Sequence, residues 1–327
     1  MPVTDYPLPV NPIDARGPRP VAEMPRFSRV VLIYNPAARR MKGKQIGKLR
    51  QAVFGLTSEG LKVDVFATAG PSDASRLARQ AVDSGAELVI ACGGDGTINE
   101  VVGGMAPSRV PLLVWPGGTA NVLAHEIGLP RGLSACAGLL KKGVIRRISL
   151  GKAGERYFIL MAGVGVDAGI VAASNSLLKR YTGEGAFWLA GFRQLAVYDF
   201  TPFELRVGGE LHRGTFAIIS KARNYGGRFQ LTPEASLYSN RFEICLFQST
   251  LRWRYLWYLG QLVLGRHTRL PDVLMLRGRT VEAVGSSNLL VQVDGELLGS
   301  LPQKFTIEEN ALSLVVPRAR ATDVQPA

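Results

Sequence analysis

From residue 29 onward the chain repeats one unit, a short apolar run followed by a segment whose apolar positions recur every three to four residues. RVVLIY at 29–34 predicts the first strand. Ile46, Leu49, Val53 and Leu56 then fall on one face of a helix predicted over 44–56, because residues three and four apart share a side of the helical turn. Leu61, Val63 and Val65 alternate with Lys62 and Asp64, the period of a strand with one less buried face. Residues 72–84 read as the next helix, closed by Gly85, and 87–91 and 111–115 supply two more strands. Strands alternating with helices predict a parallel sheet covered by helices, Rossmann-like or closely related, over 27–150.

After residue 150 the rhythm changes to short strands with close turns. Strands are predicted over 156–161, 203–207, 211–220, 241–247, 289–293 and 312–316, with Gly208-Gly209 as a hairpin turn. Helices predicted over 167–181, 185–198 and 251–264 interrupt them. The fold class is therefore an α/β Rossmann-like N-terminal domain plus a β-rich, mostly antiparallel C-terminal domain over 151–317. Residues 1–26 hold seven prolines and no apolar signal-type core, and read as a disordered leader; 318–327 read as a loose tail.

A chain of 327 residues exceeds a comfortable single core, and two domains create a cleft between them. The net charge of +13 favours a polyanionic partner, whether nucleic acid, an anionic membrane surface or nucleoside phosphates. Charge alone does not choose among these, but no nucleic-acid-binding motif is present, which argues against the first. The longest apolar-aromatic run, 255–264, is far short of the roughly 20 residues that span a bilayer. Cys92, Cys136 and Cys245, odd in number and widely spaced, fit reduced core thiols of a cytoplasmic protein. His125, His212 and His267 have no metal-ligand spacing.

The chemistry concentrates in two glycine-rich turns. Cys92-Gly93-Gly94-Asp95-Gly96-Thr97-Ile98-Asn99-Glu100 lies directly between a predicted strand and a predicted helix. Glycines let a backbone approach an anion, and a helix N-terminus offers free N–H groups and a partial positive charge. The plainer alternative is a tight turn with Asp95 as a helix cap. The turn is not Walker A, since no Gly-Lys-Ser/Thr follows, and it lacks the third glycine of the dinucleotide fingerprint. Pro116-Gly117-Gly118-Thr119-Ala120-Asn121 repeats the placement after another strand, so both turns are expected at the carboxyl edge of one sheet, where ligands bind.

These two turns, with Asn35-Pro36, Gly163-Val164-Gly165-Val166-Asp167-Ala168, Tyr225-Gly226-Gly227 and Asp294-Gly295-Glu296, resemble the diacylglycerol kinase catalytic-domain family, which includes bacterial lipid kinases and sphingosine kinases. NAD kinases share the first turn. The resemblance implies an ATP-dependent lipid kinase acting on a hydroxyl of a diacylglycerol-like or sphingoid/ceramide-like lipid. It implies that Asn35, Thr68, Gly93, Gly94, Asp95, Gly96, Thr97, Ile98, Asn99, Glu100, Gly118, Thr119 and Asn121 hold ATP, with Mg²⁺ travelling with the nucleotide. It makes Glu296 or Asp95 the base for the lipid hydroxyl and leaves Asp167 as a substrate contact or a helix cap. An NAD kinase-like enzyme and a catalytically inactive nucleotide-binding regulator are the alternatives.

Two positions depart from the family pattern. Val122 follows Asn121 where many bacterial diacylglycerol kinases carry an acid, which leans the acceptor toward a sphingoid or ceramide-like lipid. Ser239-Asn240 stands where relatives usually carry Asp-Gly and bind a structural magnesium, which puts that metal site in doubt. Residues 251–279 interleave six arginines with Trp253, Tyr255, Trp257 and Tyr258 around a single acid, Asp272. That mixture suits peripheral attachment to an anionic membrane surface, while the alternative is a helix packing its aromatics inward. Phe187, Trp188, Leu189, Phe192 and Leu195 form a second stripe, fit for an acyl-chain wall or for a core. A homodimer is compatible with the sequence.

Overall fold

The structure, a computed structural model, describes residues 24–38, 43–174, 198–225 and 229–318. The predicted leader up to residue 23, residues 175–181 of the predicted 167–181 helix, residues 185–197 of the predicted 185–198 helix with its aromatic stripe, Gly226 and Gly227, and the tail after residue 318 lie outside them.

The first domain follows the predicted alternation closely. β1 (Arg29–Tyr34), α1 (Lys44–Ser58), β2 (Lys62–Ala67), α2 (Asp73–Asp83), β3 (Leu88–Gly93), α3 (Asp95–Met105) and β4 (Pro111–Pro116) succeed one another. The strands pair in parallel in the order β2-β1-β3-β4. Both faces are buried, and successive residues take opposite sides: Val30 and Leu32 pack toward α1, while Val31 and Ile33 pack toward α2 and α3. α2 and α3 touch so closely that a Cβ on Gly104 would lie 2.1 Å from the Ser75 carbonyl oxygen. Three short helices, α4 (Val122–Glu126), α5 (Leu133–Ala137) and α6 (Leu139–Lys142), lead into the long strand β5 (Gly143–Ala153). Cys92, Cys136 and Cys245 are buried and none forms a disulfide.

The second domain is an antiparallel β-sandwich. β6 (Arg156–Phe158) extends the first sheet, and β7 (Met161–Gly165) begins the second, so the strand predicted over 156–161 is broken where the chain crosses between layers. α7 (Val166–Ser174), β8 (Phe203–Val207) and β9 (Glu210–Gly214) come next, with Gly208 and Gly209 both at positive φ in the predicted hairpin turn. The strand predicted over 211–220 is likewise split: β9 belongs to the first sheet and β10 (Phe216–Ser220) to the second. At the crossing, Thr215 donates its hydroxyl to the Ser249 carbonyl at 2.7 Å.

The remaining elements are β11 (Asn224–Tyr225), β12 (Phe229–Gln230), β13 (Phe242–Phe247), α8 (Arg252–Val263), β14 (Val273–Gly278), β15 (Thr280–Val284), β16 (Leu290–Val293), β17 (Glu296–Ser300) and β18 (Gln303–Pro317). Phe203, Leu205, Val281 and Phe305 of one sheet face Ala217, Ile219, Ile244 and Val291 of the other across a common core.

β18 joins the two domains. Its first residues pair with β15, it runs antiparallel to β5 from Phe305 to Pro317, and toward its end it pairs in parallel with β4, where Ser313 and Leu314 stand opposite Pro111 and Leu112. The C-terminal strand thus completes the sheet of the first domain, and ten strands run continuously through both.

Candidate functional site

Strand register aligns the site. Tyr34 stands beside Ala67 and Cys92, and Gly93 beside Pro116, so the residues that follow, Thr68, Asn35, Gly94 and Gly117, form a row along the carboxyl edge of β2-β1-β3-β4. Within that row the two glycine turns touch directly. The Gly117 N–H donates to the Gly93 carbonyl at 2.7 Å, and a Cβ on Gly118 would lie 2.6 Å from the Gly94 Cα. Only glycine permits that approach. Asn35 links the first turn by donating from Nδ2 to Thr97 Oγ1 at 3.0 Å. Thr97 is buried against Gly93, where a Cβ would meet its side chain at 2.6 Å, whereas Thr119 is exposed at the edge.

Asp95 and Asn121 hold the turns in shape. Asp95 accepts the Val122 N–H at 2.7 Å, so the position that departs from the family pattern serves through its backbone. Burial raises the Asp95 carboxyl, and the N–H groups of Val122, Asn121, Asp95 itself and Leu123 oppose that rise. Asn121 sits at φ 47° and closes on Gly118 with two bonds, accepting from its N–H at 2.8 Å and donating to its carbonyl at 3.0 Å. The αL backbone suits Asn, one of the few residue types that tolerate it. Ile98 is buried in the core, and Glu100 accepts the Ser72 and Ala74 N–H groups at 3.0 and 3.2 Å. Glu100 thereby caps α2, whose own N-terminal residue Ser72 offers no side-chain bond.

Glu296 comes from the other domain and meets the first turn. It opens β17 immediately after the Asp294-Gly295 turn, where both residues have positive φ. Its Oε1 lies 3.7 Å from the point a Cβ on Gly96 would occupy, and its other oxygen pairs with Arg156. Both residues line a cleft of about 720 Å³ that also holds Arg76, Arg79, Asn99 and Glu100. The cleft lies between α2, α3 and the second domain, with Arg76 held by Asp73 and Arg156 by Glu296.

One residue that sequence reasoning quoted only within a motif has a larger place here. The Asp294 carboxylate accepts the N–H groups of Ile159, Leu160 and Met161 at 2.7, 2.9 and 2.9 Å, where the chain crosses between sheets. Asn99 donates its side-chain amide to the same carboxylate, so a residue of the first glycine turn is bonded to the second domain. Burial pushes this carboxyl up to about 6 against those four donors. Its position one residue before an αL glycine was the available signal.

Asp167 is buried at the start of α7, with Tyr225 donating to one oxygen and Gln292 to the other at 2.5 Å. Gln292 in turn accepts the Gly295 N–H at 2.7 Å. A buried chain of bonds therefore runs from Asp167 to the turn that carries Glu296. Burial raises the Asp167 carboxyl, and the two donors offset part of the rise.

The departure at Ser239-Asn240 has a structural counterpart. Lys221, fully buried, donates from Nζ to the Ser239 carbonyl, and burial lowers its ammonium to about 7. The Asn240 amide bridges Ser149 and Glu309. A lysine amine aimed at the carbonyl, with no carboxylate at 239 or 240, does not fit a magnesium ligand set. Among the described residues no cluster of three or more His, Cys, Asp or Glu is arranged for a metal ion, and no helix is long and apolar enough to cross a membrane.

A parallel sheet with two interlocked glycine turns, facing a β-sandwich that contributes carboxylates, defines a nucleotide-dependent phosphotransferase architecture. The family described as the diacylglycerol kinase catalytic domain matches residues 29–153, and the YegS C-terminal NAD kinase beta sandwich-like domain matches 161–316. The diacylglycerol kinase of Bacillus subtilis (strain 168) is 30% identical over 302 residues, covering 90% of this chain and 98% of that protein. That of Staphylococcus epidermidis (strain ATCC 12228 / FDA PCI 1200) is 28% identical over 300 residues, 89% and 92% of the two chains. The crystal structure of a putative diacylglycerol kinase from Bacillus anthracis str. Sterne superposes with a TM-score of 0.75 at 20% identity, over 90% of this chain and 99% of that one. The chain belongs to the diacylglycerol kinase catalytic-domain family.

Proposed function

We propose that this protein transfers the γ-phosphoryl group of ATP to a lipid hydroxyl, with a diacylglycerol-like lipid as the first acceptor to test and a sphingoid or ceramide-like lipid as the second. The observation that carries the reading is that Gly94 meets Gly118 at the carboxyl edge of the sheet while Glu296 of the second domain approaches Gly96 of the same turn. The glycine N–H groups cradle the phosphates, and Mg²⁺, arriving with the nucleotide, would neutralise their charge. Asn35, Thr68 and Thr119 border the same edge and hold the nucleoside end. Phosphoryl transfer then requires little of the protein beyond positioning and one carboxylate to orient the attacking hydroxyl.

Glu296 is that carboxylate in the preferred reading, because it projects past the sandwich to the Gly96 turn, and Arg156 fixes its direction. The second reading is Asp294, on the same turn, whose carboxylate Asn99 of the first glycine turn contacts and whose burial raises it to about 6. Asp95, whose carboxylate is taken up by the N–H groups of α4, serves in both readings to hold the turns together.

The test is transfer of labelled phosphate from ATP and Mg²⁺ to mixed micelles of diacylglycerol, sphingosine, ceramide or monoacylglycerol, with NAD as a separate acceptor. Label in a lipid supports the reading and names the acceptor. Label in NADP with none in any lipid overturns it in favour of the NAD kinase-like alternative.

A further inference from the structure

α8 divides its aromatic residues between two opposite faces. Tyr255 and Tyr258 point inward and are buried; the Tyr255 ring stacks on Phe200 with centroids 3.8 Å apart, and its hydroxyl meets Thr215 at 2.5 Å. Arg254 places two bonds on Asp272 at 2.7 and 2.9 Å, and the Tyr258 hydroxyl adds a third at 2.7 Å. These contacts fix the roll of the helix. On the outward face Trp253, Leu256, Trp257, Val263 and Leu264 are 61%, 55%, 49%, 60% and 61% exposed. Their spacing of three, four, ten and eleven residues from Trp253 confines them to about a third of the helix circumference. Scattered exposed apolar residues are ordinary, but a contiguous stripe with two tryptophans marks an interaction surface.

The charge around the stripe has one sign. Arg252 at its start and Arg266 and Arg269 just beyond its end are exposed, and no acid occurs between residues 250 and 271. Asp272, the one acid of the segment, is taken up by Arg254 and Tyr258. We infer that this face of α8 seats the enzyme on an anionic phospholipid bilayer, with the indoles and aliphatic side chains in the interface and the arginines on headgroup phosphates. Tryptophan and arginine are the residues that combine an apolar body with a polar or charged tip suited to that depth. A second copy of the chain fits less well, since a two-fold contact across the stripe would bring the same arginines together. The inference deepens the lipid-kinase reading, on which its purpose rests, though its geometry stands without it.

The experiment is sedimentation of the full chain with vesicles of phosphatidylcholine alone and of equimolar phosphatidylcholine and phosphatidylglycerol. Tryptophan emission is followed in parallel, along with phosphorylation of a short-chain, water-soluble diacylglycerol. The wild type is expected to sediment with the anionic vesicles, with a blue shift and a loss of binding at high salt. W253S/W257S is expected to lower that partition by about tenfold or more, and R266E/R269E to abolish the preference for anionic lipid. Both variants should phosphorylate the soluble acceptor at the wild-type rate. Wild-type protein that stays in the supernatant, a W253S/W257S protein that sediments like the wild type, or a dimer that those serines dissolve would each overturn the inference. Vesicle binding without phosphorylation of any lipid would sink the kinase reading and leave the docking face standing.

Discussion

Gly118 and Gly94 meet backbone to backbone, at a separation that leaves no space for a side chain on Gly118. The contact joins two turns some 24 residues apart in sequence into one unit, which the proposed reading makes the phosphate cradle. Gly118→Ala is expected to push the turns apart. It should cost about 1–3 kcal/mol of stability, as overpacking of a tight contact does, and lower ATP affinity by about tenfold or more. Calorimetric titration with ATP beside a melting curve checks both. Unchanged ATP affinity would contradict the role assigned to the contact.

Glu296 and Asp294 stand on one turn but differ in what surrounds them, which makes their substitutions separable. Glu296→Gln removes the charge at the Gly96 edge and should lower kcat by about a hundredfold or more, leaving ATP affinity and the melting temperature close to wild type. Asp294→Asn replaces an acceptor of several N–H groups with a partial donor, so it should also destabilise the crossing between the sheets. The pH profile gives the cleaner distinction. If Asp294 takes the proton, kcat/KM of the wild type falls as pH drops through about 6, the range in which that carboxyl binds its proton. A wild-type profile flat through that range would exclude Asp294.

Asp167 reaches the same turn through Gln292. Asp167→Asn would present an amide to the Gln292 amide, and relieving that clash requires Gln292 to turn and release the Gly295 N–H. The expected result is about 1–3 kcal/mol of destabilisation together with a kcat reduced by about tenfold and an ATP affinity that is unaltered. A rise in lipid KM with kcat unchanged would instead assign Asp167 to direct substrate contact.

Lys221 offers a test by pH alone. Its folded-state affinity for protons is lowered to about 7 from a reference of 10.5, so between those values the unfolded chain holds more protons than the folded one. Stability contributed by this residue therefore rises as pH increases from about 7 toward 10, by a few kcal/mol at most. Lys221→Met should flatten that rise and gain stability relative to wild type at pH 6, a difference read from paired denaturant titrations at pH 6 and 9. Magnesium should leave the wild-type melting temperature unchanged in the absence of nucleotide. A gain of stability on adding magnesium alone would contradict the misfit at Ser239.

The sequence made the first domain legible because each of its strands is a local apolar run and each helix carries its own stripe. Residues 29–34 are both the predicted and the observed first strand, and α2 falls within one residue of its predicted ends. The two glycine turns were legible for the same reason, since strand-turn-helix is a local pattern. What periodicity could not convey was where a strand changes sheet. Residues 156–161 and 211–220 read as single strands, yet each crosses between layers, at 159–160 and at Thr215. β14 and β15 escaped notice because Arg277 and Glu282 interrupt their short apolar runs. The long reach of β18 back to β4 depends on pairing between residues some 200 positions apart, which no local window contains. The Asn99 to Asp294 bond was hidden in the same way, and the aromatics of α8 separated into an inner tyrosine face and an outer tryptophan face only once the helix was rolled against the sandwich.

The central claim is that the interlocked turns and the Asp294-Gly295-Glu296 hairpin form one site for phosphoryl transfer to a lipid. It is tested most directly by incubating the wild type and Glu296→Gln with γ-labelled ATP, Mg²⁺ and diacylglycerol micelles and counting the label extracted into organic solvent. The account predicts label in the organic phase that grows with time for the wild type and stays near background for Glu296→Gln. Equal labelling by the two proteins would contradict the assignment of Glu296. No label from the wild type with diacylglycerol, or with the sphingoid and ceramide acceptors tried after it, would contradict the lipid-kinase account itself.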